Sequence, residues 1–169
     1  MTARRRSGTP VALVIFAAFL AGFAYRYWPD DARDIRRHLS NLAEAVSLPA
    51  GEQETVRITR FAALREYFAV DVRVRVDGQD IVSREAVVDR LSLLVPPPGG
   101  LAVELVDIAV TLAEGSQSAT VSATVKVSTA KTPSEGEMLE TRRLDLAMLK
   151  WDGDWVISRL DATPLDTRR

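Results

Sequence analysis

Between Leu101 and Ala162 the apolar residues return at almost every second position, a period suited to extended strands with one buried face. Leu101, Val103 and Leu105 keep one phase, and Val106, Ile108, Val110 and Leu112 keep the other. A phase slip of one residue is what a β-bulge produces, so a bulge is expected at Leu105-Val106. After the turn Glu114-Gly115-Ser116, Ala119, Val121, Ala123, Val125 and Val127 share one face, and Ser118, Thr120, Ser122, Thr124 and Lys126 share the wet one. A polar loop, Ala130 to Gly136, leads to a strand Leu139 to Lys150 that points Leu144, Leu146 and Met148 inward. Trp151-Asp152-Gly153-Asp154-Trp155 reads as an Asp-Gly hairpin turn, with the two tryptophans expected to pack across it, and Trp155 to Ala162 closes the series.

The chain before Leu101 changes period. Asp30 to Asp34 offer helix caps and first-turn carboxylates, and Ile35, Leu39, Leu42, Ala43 and Val46 follow at helical spacing until Pro49-Ala50-Gly51, predicting a helix over 31–47. A second helix is expected from Thr55 to Phe68, with Ile58, Phe61, Ala62, Leu64 and Phe68 on one side. Val70, Val72, Val74 and Val76 then alternate with Asp71, Arg73, Arg75 and Asp77, which predicts a half-buried strand ending in an Asp77-Gly78 turn. Ser83 can cap a third, short helix that buries Ala86, Val87, Leu91 and Leu94 and stops at Pro96-Pro97-Pro98.

The first residues are of another kind. Arg4, Arg5 and Arg6 precede an apolar run that is uncharged from Pro10 to Tyr25 and ends in Tyr25-Arg26-Tyr27-Trp28. As a helix, 10–28 spans roughly 28 Å at ~1.5 Å per residue, close to a bilayer core, and its aromatic end has the composition of an interface belt. The expected organisation is a basic cytoplasmic tail at 1–9, a transmembrane helix or uncleaved signal anchor at 10–28, and one domain at 29–169. The competing reading is a cleaved secretory signal, with Gly22 and Ala24 as the small residues before the cut. The basic tail favours a single pass with the domain on the periplasmic or extracellular side of the cytoplasmic membrane.

Helices first, one strand, another helix, then a series of long antiparallel strands describe an α+β domain with a curved sheet wrapped over helices. The runs Phe61 to Val72, Ser83 to Ala86 and Leu149 to Leu160 resemble the nuclear transport factor 2-like (NTF2-like, SnoaL-like) superfamily, most diagnostically in the closing Asp152-Gly153-Asp154-Trp155-Val156-Ile157. The resemblance covers nearly all of residues 31–163. It implies a cystatin-like cone: three helices packed on a strongly curved, mostly antiparallel sheet that encloses a pocket, here preceded by one transmembrane helix. Secretion-system envelope components of the VirB8 type are similar in having one N-terminal span followed by an outer domain of this fold.

Enzymes of that superfamily use carboxylates, tyrosine or histidine projecting into the cone, yet the positions assigned to this inner face are Val, Ala, Leu, Ile and Met, which cannot move a proton. No catalytic residue is therefore assigned. Three residues are candidate ligand contacts. His38 shares the helical face of Ile35, Leu39 and Leu42, and reads otherwise as a boundary histidine. Tyr67 can turn its hydroxyl to a pocket or simply pack. Arg142, in phase with Leu144 and Leu146, can pair with a carboxylate ligand at the cone mouth or sit at the rim with Glu140. With no cysteine and one histidine, neither a thiol nucleophile nor a cysteine or multi-histidine metal site can be built, and no metal or cofactor is expected. With 22 basic against 23 acidic residues, no charge excess exists to hold a nucleic acid.

The sequence thus points to a membrane-tethered binding or assembly module that holds an apolar small ligand, a protein partner or a second copy of itself. The alternatives are a SnoaL-like lyase or isomerase acting on a small hydrophobic substrate, and an envelope assembly subunit.

Overall fold

A computed structural model describes residues 30–95, 97–115, 117–129 and 138–165. The expected tail and membrane helix at 1–28, and the polar loop Ala130 to Gly136, lie outside the described residues. Among the described residues no helix is long and apolar enough to cross a membrane. The chain divides at Asp30, and the unit that follows, Asp31–Arg169, is the one treated below.

Helix α1 (Asp31–Val46) carries Asp31 and Asp34 in its first turn, where carboxylates suit the helix dipole, and buries Ile35, Leu39, Leu42 and Ala43 at three- and four-residue steps. Ser47 fastens its end to the sheet: the hydroxyl donates to the Ala43 carbonyl at 2.8 Å and accepts from the Val103 amide at 3.0 Å. Helix α2 (Glu54–Ala63) is shorter than the sequence suggests and tightens into a 3-10 turn, Leu64–Tyr67. A step of four from Leu64 to Phe68 fits a helix, but here Phe68 pairs with Ile157 and so begins a strand.

Strands β1 (Phe68–Val76) and β2 (Gln79–Val82), helix α3 (Arg84–Ser92), and strands β3 (Leu101–Leu112), β4 (Ser118–Thr129), β5 (Met138–Trp151) and β6 (Asp154–Pro164) complete the unit. The six strands form one sheet in the order β2-β1-β6-β5-β4-β3, antiparallel except for the β1–β6 pair. Strand β2 was not expected from its short, half-polar sequence. It exists because Asp77 and Gly78, both at positive φ, turn the chain straight back on β1. Ser83 caps α3 as expected, its Oγ accepting from the Ala86 amide at 3.3 Å. That helix ends at Ser92 and buries Val87 and Val88, so Leu94 is exposed rather than packed. Residues ahead of a proline run are steered out of the helical region, which releases Leu93 to Val95 early.

The register shifts at four places among the described strands, between Val127 and Ser128 in β4 and at three sites that correct the expected alternation. Val70 is 63% exposed although Val72 and Val74 are buried, because β1 runs from Phe68 to Arg73 while β6 advances only from Ile157 to Arg159. The bulge of β3 lies after Val106, which still pairs with Thr124 on the wet face; the extra residue falls between Val106 and Ala109, where Asp107 takes φ 54°. In β6, Ser158 is the extra residue, and its hydroxyl donates to the Ala147 carbonyl at 3.1 Å.

The tryptophans also part company. Asp152 and Gly153 form a two-residue turn at positive φ, Trp151 pairs with Asp154, and Lys150 pairs with Trp155. Adjacent strand positions face opposite sides, so Trp155 is 4% exposed in the core while Trp151 is 75% exposed on the outer face. They do not pack across the hairpin.

Candidate functional site

The inner face of the sheet is apolar among the described residues. Val72, Val121, Leu146, Met148 and Ile157 meet Ile35, Leu39, Phe61 and Leu64 in one cluster of buried side chains. At about 25 cal/mol per Å² of apolar surface removed from water, each such side chain contributes roughly 1.5–3 kcal/mol before entropy is counted. Polar groups stand at the border of this cluster.

Two of the three candidate contacts come together there. The His38 and Tyr67 rings lie 4.6 Å apart, centroid to centroid, tilted by 40°. Helix α1 presents His38 one turn after Ile35, and the 3-10 turn presents Tyr67 beside Phe68, so the pair closes the seam between α1 and the start of β1. His38 Nε2 is buried without a hydrogen-bond partner. Burial pushes the imidazole below its ordinary pKa, and the Asp154 carboxylate opposes that only in part. The Tyr67 phenol is pushed up, first by burial and then by Glu66 and Glu44. Around neutral pH the pair is therefore an uncharged imidazole against an un-ionised phenol, able to accept or donate a hydrogen bond but poorly placed to carry charge.

Arg142 is elsewhere, toward the opposite end of β5 from the hairpin, with its fork occupied. Its two Nη atoms donate to the Asp77 carboxylate at 2.6 and 2.9 Å, and Nε donates to Glu140. Both carboxylates come from this chain. The Asp77 carboxyl is held below its usual range by the bond to Arg142, and the guanidinium is raised in turn. Arg142 thus joins the β1–β2 turn to β5.

Sequence reading missed an ion pair at the other end. Lys150 Nζ donates to Asp31 Oδ1 at 2.7 Å, and the same ammonium lies 5.6 Å from the centre of the Trp155 ring. Asp31 is buried, the first residue of α1, and Lys150 is the last residue of β5 before Trp151. The even-numbered phase of Leu144, Leu146 and Met148 does place Lys150 inward, which is the one signal available. Its partner, 119 residues away, is not legible from spacing. Among the described residues no group of three or more His, Asp or Glu side chains is placed to hold a metal ion.

No family model and no curated protein matches the chain. Solved structures do. An NTF2-like protein with a cystatin-like fold from Novosphingobium aromaticivorans superposes with a TM-score of 0.66 at 15% identity, covering 96% of this chain and 94% of that one. A candidate scytalone dehydratase from the same organism gives 0.58 at 16% identity over 80% and 88% of the two chains. A candidate aromatic ring hydroxylase, also from that organism, gives 0.57 at 17% over 80% and 90%. At such identities the likeness shows the fold: the domain has the cystatin-like, NTF2-like α+β fold, three helices on a mixed six-stranded curved sheet. A fold of this kind hosts many functions, so the neighbours' chemistry does not transfer with it.

Proposed function

We propose that this protein is a membrane-tethered binding or assembly module of the NTF2-like fold, held outside the cytoplasmic membrane by residues 10–28, and that it works without acid-base catalysis. The observation that carries this reading is the apolar core, in which Asp31 is the one buried charged residue among the described residues. Proton transfer needs a titratable group at the reacting atom, and around the buried cluster stand a neutral histidine, an un-ionised tyrosine and an aspartate already paired with Lys150. Binding through the surface asks for none of these. An envelope assembly subunit is the most specific form of the proposal.

Crosslinking of the full chain in native membranes tests it. The module predicts discrete adducts larger than the monomer. A chain that stays monomeric, yet binds a hydrophobic small molecule in a manner abolished by His38→Ala, overturns the assembly reading.

One observation favours a second reading. The unpartnered His38 Nε2 beside the Tyr67 ring is an acceptor next to a phenol, which is the minimum a lyase or isomerase acting on a small hydrophobic substrate requires, and two fold neighbours carry enzyme names. Turnover of such a substrate, lost in both His38→Ala and Tyr67→Phe while the fold persists, would replace the first reading with this one.

A further inference from the structure

The outer face of the β5–β6 hairpin carries two exposed apolar side chains, Trp151 at 75% and Leu149 at 43%. They stand two residues apart on one strand and so share a face, with Val156 paired to Leu149 beside them. Lys150, between them, faces the other way and is held by Asp31. The point where the chain enters the domain and the strand that ends in the exposed tryptophan are therefore fastened to each other. Trp28 precedes Asp31 by three residues, at most about 10 Å of extended chain. The stretch ending there, Tyr25-Arg26-Tyr27-Trp28, has the composition of a headgroup-level belt.

An exposed tryptophan alone indicates no occupant. Here the chain outside the described residues, and the place where it joins the domain, select one. We propose that the β5–β6 hairpin rests on the bilayer surface, with Trp151 and Leu149 in the headgroup region. The indole supplies an apolar body and a polar N–H, which suits that depth. Asp152 and Asp154 at the tip oppose deeper insertion and favour a zwitterionic over an anionic surface. The Asp31–Lys150 pair holds the hairpin strand at the point where the chain enters the domain. This inference rests on the tethered reading.

The test uses full-length Trp28→Phe protein in phosphatidylcholine vesicles containing lipids brominated along the acyl chain, with Trp28→Phe/Trp151→Phe as the comparison. The buried Trp155 is common to both. Quenching at least twofold greater in the protein that retains Trp151 is the expected result. Equal quenching in protein that stays with the vesicles through an alkaline carbonate wash overturns the hairpin contact and leaves the tether standing. Loss of the protein in that wash removes the tether and the proposal with it. Trp151 emission that is blue-shifted, unquenched and dependent on protein density also overturns the proposal, assigning the hairpin to a second copy.

Discussion

His38 loses water to its neighbours without gaining a hydrogen bond at Nε2, and that imbalance makes stability depend on pH. Folding lowers its pKa, so the unfolded chain binds the proton more readily. The contribution is complete above the unfolded value of about 6.5 and is lost as pH falls through the lower, folded value. Urea midpoints measured from about pH 7.5 down to about pH 5 should therefore fall more steeply for the native chain than for His38→Gln. Parallel curves would mean that His38 is solvated. Asp31 and Lys150 behave differently, because each neutralises the other at the domain edge. Removing one leaves the partner partly buried and uncompensated, so Lys150→Ala should cost about 1–2 kcal/mol by chemical denaturation, and Asp31→Asn/Lys150→Ala together less than the sum of the singles.

Among the elements, the bulges decide which residues face the core. Asp107 adopts φ 54°, a left-handed conformation that costs a branched residue about 1–2 kcal/mol and glycine nothing comparable. Asp107→Val should lower stability by about that amount and Asp107→Gly should not; equal losses in both would mean that the side chain, not the backbone, matters there. The sequence displays the phase slip in β3 but not its address, because Val106 is apolar on either face and hides the residue at which the register changes. Strand β4 is legible from Ser118 to Val127, since four hydroxyl residues and Lys126 alternate there with aliphatics. Val70 and Trp151 mislead for opposite reasons: Val70 sits where the β1–β6 ladder breaks, and Trp151 is one residue out of phase with the partner it resembles. The parallel β1–β6 pairing and the His38–Tyr67 contact join segments far apart in the chain, and local periodicity contains no term for either. His38 lies on a buried helical face with its ring beside that of Tyr67, and the in-phase Arg142 is engaged by the chain's own carboxylates.

For the whole molecule, the proposed function assigns binding to the apolar-cored domain and placement to the basic-then-apolar N-terminal stretch. Among the described residues, every member of the domain's core cluster lies after residue 34. A chain beginning at Asp30 should therefore fold with the circular dichroism of the α+β unit, lacking only whatever depends on being held at a surface. The tethered reading turns on which side of the membrane the domain occupies. A reporter active only outside the cytoplasm, fused after Arg169 and assayed in the membrane fraction, measures it directly. The account predicts strong activity that sediments with membranes and a chain that retains residues 10–28; activity from a cytoplasm-only reporter at the same position, or a soluble mature chain beginning at Tyr25, would contradict it.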